Sequence, residues 1–112
     1  MKLKEKIKKV LQKGPGFKSK FLPAMIDCLF DPEYKDIGVR YQKVIVTVYH
    51  KDYQQIENKK EFIENKRGSL RKIKDKINDR VFDSNLKFKF YIYSDGQRYY
   101  YLTDSTTITH NS

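Results

Sequence analysis

The chain has 112 residues, a formal net charge of +10 and a hydrophobic fraction of 38%. This length fits one domain, and Cys28, the only cysteine, excludes an internal disulfide and a cysteine-rich zinc site. The many Phe and Tyr residues favour a folded core, and the longest apolar stretch, Phe21–Phe30, is too short to cross a bilayer. We therefore expect a soluble, cytoplasmic protein with one domain over residues 1–104 and a flexible polar tail over 105–112.

The first predicted element is a strongly basic helix from Lys2 to Gln12. Its apolar residues recur with helical spacing on one stripe, at Leu3, Ile7, Val10 and Leu11. This stripe is short and lacks Trp and Phe, so we expect it to dock on the domain rather than on a membrane. The lysines opposite the stripe are the first candidate nucleic-acid-binding residues, within the basic block 2–13: Lys2, Lys6, Lys9 and Lys13.

A second helix is predicted from Phe17 to Phe30, and Asp31-Pro32 ends it because a residue before proline avoids helical angles. Residues 44–48 are valines alternating with Ile45 and Thr47. Such β-branched residues favour a strand, and apolar side chains on both faces predict a central one.

Helical periodicity returns from Tyr53 to Val81, with a kink predicted at Gly68-Ser69. A basic cluster surrounds this kink, and a glycine there lets a phosphate approach the backbone closely. Acidic residues are interspersed, so an ordinary solvated helix face is the alternative interpretation. The candidate binding residues of the cluster are Lys66, Arg67, Gly68, Arg71 and Lys74. The spacings of four and three residues predict that Arg67, Arg71 and Lys74 share one solvent-facing stripe.

The end of the chain predicts a β-hairpin with a strand from Leu86, a type I′ turn at Asp95-Gly96 and a returning strand Arg98–Thr103. This turn places Tyr93 opposite Arg98. One face of the hairpin is then core, and the outer face interleaves cations with rings. That outer face either stacks unpaired bases or is a stable, hydrated strand surface, and it consists of Lys87, Lys89, Tyr91, Tyr93, Arg98 and Tyr100.

No catalytic signature is present in the sequence. The only imidazoles are His50, expected at the end of a strand, and His110 in the tail, and no residues stand at metal-ligand spacing. We therefore predict no catalytic residues, no metal and no cofactor. A small basic ribonuclease that uses His50 is the enzymatic alternative.

The predicted order α-α-β-α-α-β-β describes a small α+β domain whose short sheet ends in a hairpin packed against helices. Its segments Lys43–Val48, Gly68-Ser69-Leu70-Arg71 and Leu86-Lys87-Phe88 resemble ribosome-binding factor A, a bacterial family with a type II KH-like fold. Asp31-Pro32 is also similar to a motif of that family. The resemblance implies binding to the small ribosomal subunit during maturation, with RNA contacts carried over to Lys66, Arg67, Gly68 and Arg71.

Three functional hypotheses follow from the sequence. The first is a non-enzymatic, KH-like RNA-binding protein that acts on ribosomal RNA or in ribosome assembly. The second is a winged-helix DNA-binding protein with its recognition helix over 69–81 and its wing over 86–103. The third is a small protein-binding inhibitor or assembly factor from a mobile element, whose aromatic face covers a partner. The oligomeric state stays open.

Overall fold

The computed structural model describes residues 2–12, 20–84 and 90–103, and these form the α+β fold that the sequence predicts. Helices pack against a three-stranded antiparallel sheet of order β1-β3-β2. No helix among the described residues is both long and apolar enough to span a membrane. The elements in chain order are α1 (Leu3–Gln12), α2 (Phe21–Leu29), a 3₁₀ turn (Pro32–Tyr34), β1 (Val39–Arg40), α3 (Tyr41–Val48), α4 (His50–Gln54), α5 (Lys59–Asn65), α6 (Arg67–Phe82), β2 (Phe90–Ser94) and β3 (Arg98–Thr103).

Helices α1 and α2 confirm two predictions. In α1 the apolar stripe faces the core, and Ile7 and Leu11 are completely buried. Helix α2 begins at Phe21 and ends before Asp31, whose carboxylate accepts from the backbone N–H of Glu33 at 3.0 Å and caps the following 3₁₀ turn. The predicted start of α2 at Phe17 lies outside the described residues.

The predicted strand at 44–48 is wrong, because these residues belong to α3. The buried side chains of α3 recur with helical spacing, at Tyr41, Val44, Ile45 and Val48. An apolar run this short fits both periods, so packing rather than propensity decides the conformation. The β-branched Thr47 fits the helix because its hydroxyl donates to the carbonyl of Lys43, one turn earlier, at 2.8 Å. His50 consequently begins α4 instead of ending a strand.

The predicted helix from Tyr53 to Val81 is interrupted twice. A first interruption precedes α5, where the Asn58 side chain accepts from the N–H of Glu61 at 3.1 Å and acts as an N-cap. A second interruption at Lys66 separates α5 from α6, which confirms a break near Gly68-Ser69 but places it two residues earlier. Within α6 the predicted apolar positions are buried, namely Leu70, Ile73, Ile77 and Val81.

Strands β2 and β3 form the predicted hairpin in a different register. Tyr93 lies opposite Tyr100 rather than Arg98, and the other pairs are shifted in the same way. A shift of two residues leaves every side chain on its predicted face, because side chains alternate with a period of two. Phe90, Ile92 and Tyr99 are accordingly buried, whereas Tyr91 is exposed. The first part of the predicted strand, residues 86–89, lies outside the described residues.

The register differs because the turn is centred on Gly96-Gln97 instead of Asp95-Gly96. The N–H of Asp95 donates to the carbonyl of Arg98 at 3.2 Å. The Asp95 carboxylate accepts from the N–H groups of Gln97 and Arg98 at 2.9 and 2.8 Å, which requires Asp95 to precede the turn. Gly96 has a φ of +97°, a conformation that glycine adopts without a steric penalty.

The short strand β1 was not predicted from the sequence. It pairs with β3, with Val39 opposite Tyr99, and makes β3 the central strand. Strand β2 is therefore an edge strand, and α6 runs along it in the opposite direction. At one end Arg67 reaches the turn residue Gly96, and further along α6 Asn78 bonds to the backbone of Ile92. This packing places the first half of α6 beside the tip of the hairpin.

Candidate nucleic-acid interface

A cleft of about 200 Å³ lies between the first half of α6 and the β2–β3 hairpin. We call it the basic cleft. It unites three of the predicted binding residues, which come from one helix, with side chains from α3 and both hairpin strands. None of the described residues that line it is acidic: they are Tyr41, Arg67, Arg71, Lys74, Ser94, Gly96 and Tyr99.

Arg67 is fixed in place at the hairpin tip. Its guanidinium stacks on the Tyr41 ring, 4.1 Å from the ring centroid, and donates to the Gly96 carbonyl at 2.9 Å and to Glu64 at 3.3 Å. The Tyr41 hydroxyl also donates to Glu64, at 2.6 Å. This hydrogen bond lowers the pKa of Glu64 and raises the pKa of Tyr41, so the carboxylate is charged and the phenol neutral at pH 7. Arg67 therefore presents a preoriented positive charge.

Arg71 and Lys74 are the cations of the cleft that make fewer contacts with other side chains than Arg67 does. Arg71 is exposed and has no hydrogen bond or ion pair with another described residue. The Lys74 side chain is only 17% exposed, and its ammonium lies 3.3 Å from the largely exposed carboxylate of Asp75. Spacings of four and three residues along α6 put both on the same side as Arg67, as predicted.

Tyr99 is a neutral, buried residue in the lining of the basic cleft. The residue is 6% exposed, and this burial raises the pKa of its phenol, although nearby Arg71 and Arg67 lower it. The hydroxyl is consequently protonated at neutral pH and available to donate a hydrogen bond. Ser94 adds a second hydroxyl, which accepts from the N–H of Gly96 at 3.1 Å.

The other two residues of the predicted kink cluster have different environments. The Lys66 ammonium lies over the rings of Tyr49 and Phe62, 5.0 and 5.5 Å from their centroids, so it contacts the aromatic part of the core. Gly68 is exposed in the first turn of α6, and apart from its chain neighbours and the adjacent helix backbone no atom of the described residues lies within 4 Å of where a Cβ would stand. Its open surroundings leave the backbone of this turn accessible to a ligand.

The N-terminal lysines divide into two groups. Lys4 and Lys8 both pair with Asp27 of α2, at 3.1 and 2.9 Å. Burial raises the pKa of Asp27, but the hydrogen bonds from the two lysines outweigh it, and the net shift is downward. The predicted binding lysines are exposed and have no side-chain partner among the described residues: they are Lys2, Lys6 and Lys9. Lys13 lies outside the described residues.

The outer face of the hairpin is mostly aromatic. Tyr91 and Tyr93 are 54% and 36% exposed, and Tyr93 stacks on Tyr100 with 5.1 Å between the ring centroids. The Tyr100 hydroxyl donates to Asp95 at 3.2 Å. Arg98 donates to the Gly38 carbonyl at 3.2 Å, so it joins β3 to the loop before β1. The predicted Lys87 and Lys89 lie outside the described residues.

The two faces of the hairpin have different surroundings. Ser94 and Tyr99 belong to the inner face of the hairpin and line the basic cleft, while Tyr91, Tyr93 and Tyr100 alternate with them and point to the opposite side. The exposed tyrosines and the cations of the basic cleft therefore do not form one continuous surface.

Groups with catalytic potential are scattered. His50 is exposed at the start of α4, and Cys28 is buried, which raises the pKa of its thiol. The Cys28 sulfur lies 3.9 Å from the Thr47 hydroxyl. Within the described ranges no group of three or more His, Cys, Asp or Glu is placed to hold a metal ion.

Sequence reasoning missed the uncharged half of the basic cleft. Tyr41 lies shortly before the segment that the sequence predicts as a strand, and Ser94 directly precedes the predicted turn at Asp95-Gly96. Tyr99 stands on the core face of the predicted hairpin, and the structure buries it as expected, but the residue also lines the cleft. No sequence signal joins these residues to α6, because the contact depends on how the hairpin packs against the helix.

No protein-family model matches this chain, and no match was found among curated proteins or solved structures.

Proposed function

We propose that this chain binds double-stranded DNA through α6 and the β2–β3 hairpin, as a binding protein rather than an enzyme. The observation that carries the proposal is the basic cleft, in which Arg67, Arg71 and Lys74 converge beside the hairpin tip and no described lining residue is acidic. Clustered cations with unused donors attract phosphates, and they release counterions when a polyanion binds.

The arrangement of α6 and the hairpin favours a duplex as the ligand. The exposed cations of α6 lie in its first two-thirds, at Arg71, Lys72 and Lys76, and outnumber the one exposed carboxylate there, Asp75. In helix-turn-helix proteins the N-terminal part of the recognition helix contacts base edges in the major groove. The hairpin tip lies beside this part of α6, as a winged helix requires.

The N-terminal lysines support the same proposal through electrostatics. Lys2, Lys6 and Lys9 are exposed along α1 and are not neutralised by described carboxylates. Long flexible lysines suit sequence-independent contacts to the phosphate backbone. They add affinity without defining the sequence that is recognised.

Titrations with three nucleic acids at several salt concentrations test the proposal. Duplex DNA, duplex RNA and single-stranded RNA of equal length are compared by fluorescence anisotropy. We expect duplex DNA to bind most tightly, with a logarithmic affinity that falls linearly with the logarithm of salt concentration. Failure to bind any nucleic acid at low salt would contradict the proposal and leave a protein partner as the remaining hypothesis.

A second candidate function is binding of single-stranded RNA, in line with the resemblance to ribosome-binding factor A. The exposed rings of Tyr91 and Tyr93 favour it, because such rings stack on unpaired bases. Against it, residues 43–48 are helical here, where the family has a strand. Replacing Tyr91 and Tyr93 by Ala together should weaken binding of single-stranded RNA more than of duplex DNA. An equal effect on both would remove the stacking hypothesis.

A further inference from the structure

We propose that the basic cleft binds a phosphomonoester, the terminal phosphate of a nucleic-acid strand, in preference to an internal phosphodiester. The inference rests on the proposed function and specifies which part of the nucleic acid this site recognises. Three features of the basic cleft support it: its depth, its charge and its free donors.

The first feature is depth. A volume of about 200 Å³ corresponds to roughly seven water molecules at about 30 Å³ each, enough for one phosphate group and bridging waters. The site is recessed, since the side chain of Lys74 is 17% exposed and Tyr99 is 6% exposed. A terminal phosphate can enter such a recess, because only one ester bond connects it to the rest of the strand. An internal phosphate is bonded to a sugar on each side. Because both sugars must remain outside the recess, this phosphate cannot enter as far.

The second feature is charge. An internal phosphodiester carries one negative charge, whereas a phosphomonoester carries roughly −1.5 to −2 at pH 7 and has three free oxygens. The basic cleft presents three cations. Two of them, Arg67 and Lys74, are paired at 3.3 Å with the carboxylates of Glu64 and Asp75, which lie outside the lining, so Arg71 supplies the charge that no described carboxylate neutralises. A site of this composition favours the ligand that concentrates more negative charge.

The third feature is the supply of donors. Arg71 is exposed and its guanidinium N–H groups have no partner among the described residues, and Lys74 shares its ammonium with one exposed carboxylate. The Tyr99 hydroxyl is a further donor, protonated at neutral pH. Hydrogen bonds from charged donors to phosphate oxygens are about twice as strong as neutral ones. The three free oxygens of a terminal phosphate can therefore all accept hydrogen bonds while Arg67 keeps its own hydrogen bond to the Gly96 carbonyl.

The test uses the full chain and blunt duplex DNA of one sequence with three kinds of ends: 5′-phosphate, 3′-phosphate and hydroxyl. We expect phosphorylated ends at either terminus to bind about tenfold more tightly than hydroxyl ends. Inorganic phosphate should compete for the basic cleft. It should therefore lower the affinity for duplexes with phosphorylated ends and leave binding of the hydroxyl-ended duplex largely unaffected. Equal affinity for all three duplexes would overturn this inference alone, whereas no binding to any duplex would overturn the proposed function as well.

Arg71→Ala and Lys72→Ala form a matched pair on α6. Both side chains are exposed and have no partner among the residues that the structure describes, but only Arg71 lines the basic cleft. Each variant should weaken duplex binding, and only Arg71→Ala should abolish the advantage of a phosphorylated end. In the unaltered chain the advantage should grow between about pH 5 and 7, as the terminal phosphate loses its second proton near pH 6. Loss of the advantage in both variants would overturn the inference.

Discussion

The Asn78 side chain pairs with both backbone polar groups of Ile92. Its amide N–H donates to the Ile92 carbonyl at 2.8 Å, and its oxygen accepts from the Ile92 N–H at 2.7 Å. In an antiparallel pair of strands, hydrogen-bonded and non-hydrogen-bonded residue pairs alternate. Ile92 and Tyr101 form a non-hydrogen-bonded pair, so the N–H and C=O of Ile92 point away from β3, toward the free edge of β2. Asn78 thus takes the place of a neighbouring strand and attaches the hairpin to α6. The geometry of the basic cleft depends on this attachment.

Replacing Asn78 by Ala should destabilise the fold by about 2–3 kcal/mol, because it leaves two buried backbone groups unpaired. Urea unfolding followed by circular dichroism measures the effect. Asp79→Ala is the control, since Asp79 is the exposed neighbour on the same helix and its loss should change stability by less than about 0.5 kcal/mol. Equal midpoints for both variants would show that Asn78 does not secure the hairpin.

Among the three glycines that the structure describes, Gly38 is the one at which a side chain should be least tolerated. Its φ is +78°, and an added Cβ would overlap the ring of Tyr100. Gly96 has a similar φ of +97°, but no described residue other than its chain neighbours lies within 4 Å of its Cβ position. Gly96→Ala should therefore cost about 1–2 kcal/mol for the left-handed backbone alone. Gly38→Ala should cost about 1–3 kcal/mol more because of overpacking, and thermal unfolding distinguishes the two.

Changing Lys2, Lys6 and Lys9 together to Glu should weaken duplex binding and flatten its salt dependence. The slope should fall by about 0.9 for every phosphate contact removed. Stability should be nearly unchanged, because the three side chains are exposed and unpartnered among the described residues. The control changes Lys4 and Lys8, which pair with Asp27, to Ala. A triple variant that no longer unfolds cooperatively would show that the lysine face is structural.

Acid should weaken the hairpin turn through Asp95. Hydrogen bonds from the backbone N–H groups of Arg98 and Gln97 hold the pKa of this carboxyl below its ordinary value of 3.8. A pKa that is lower in the folded state contributes stability above the ordinary value, and this contribution is lost as the pH falls through the folded pKa. Stability should therefore decline below about pH 4. Asp95→Asn should reduce this decline, since the amide still accepts hydrogen bonds but does not titrate; an unchanged pH profile would contradict the assignment.

Local sequence signals predicted the elements whose period extends over several turns or is marked by a breaker. The stripe of α1, the end of α2 before Pro32, the buried side of α6 and the two faces of the hairpin all agree with the structure. The stripe of cations at Arg67, Arg71 and Lys74 was likewise recognised from spacing alone. In each case the information is contained in neighbouring residues, because helical and strand periods repeat within a few positions.

Tertiary packing decided the features for which local secondary-structure preferences are contradictory or give no information. Residues 44–48 have strand propensity, yet they become helical because Val44, Ile45 and Val48 then bury one side together. The strand β1 and the contact of Asn78 with Ile92 join segments distant in the chain, and no local preference specifies them. The basic cleft belongs to the same class: the sequence supplies its charges, but only the docking of the hairpin on α6 adds Tyr99 and Ser94 and turns an exposed stripe into a recess.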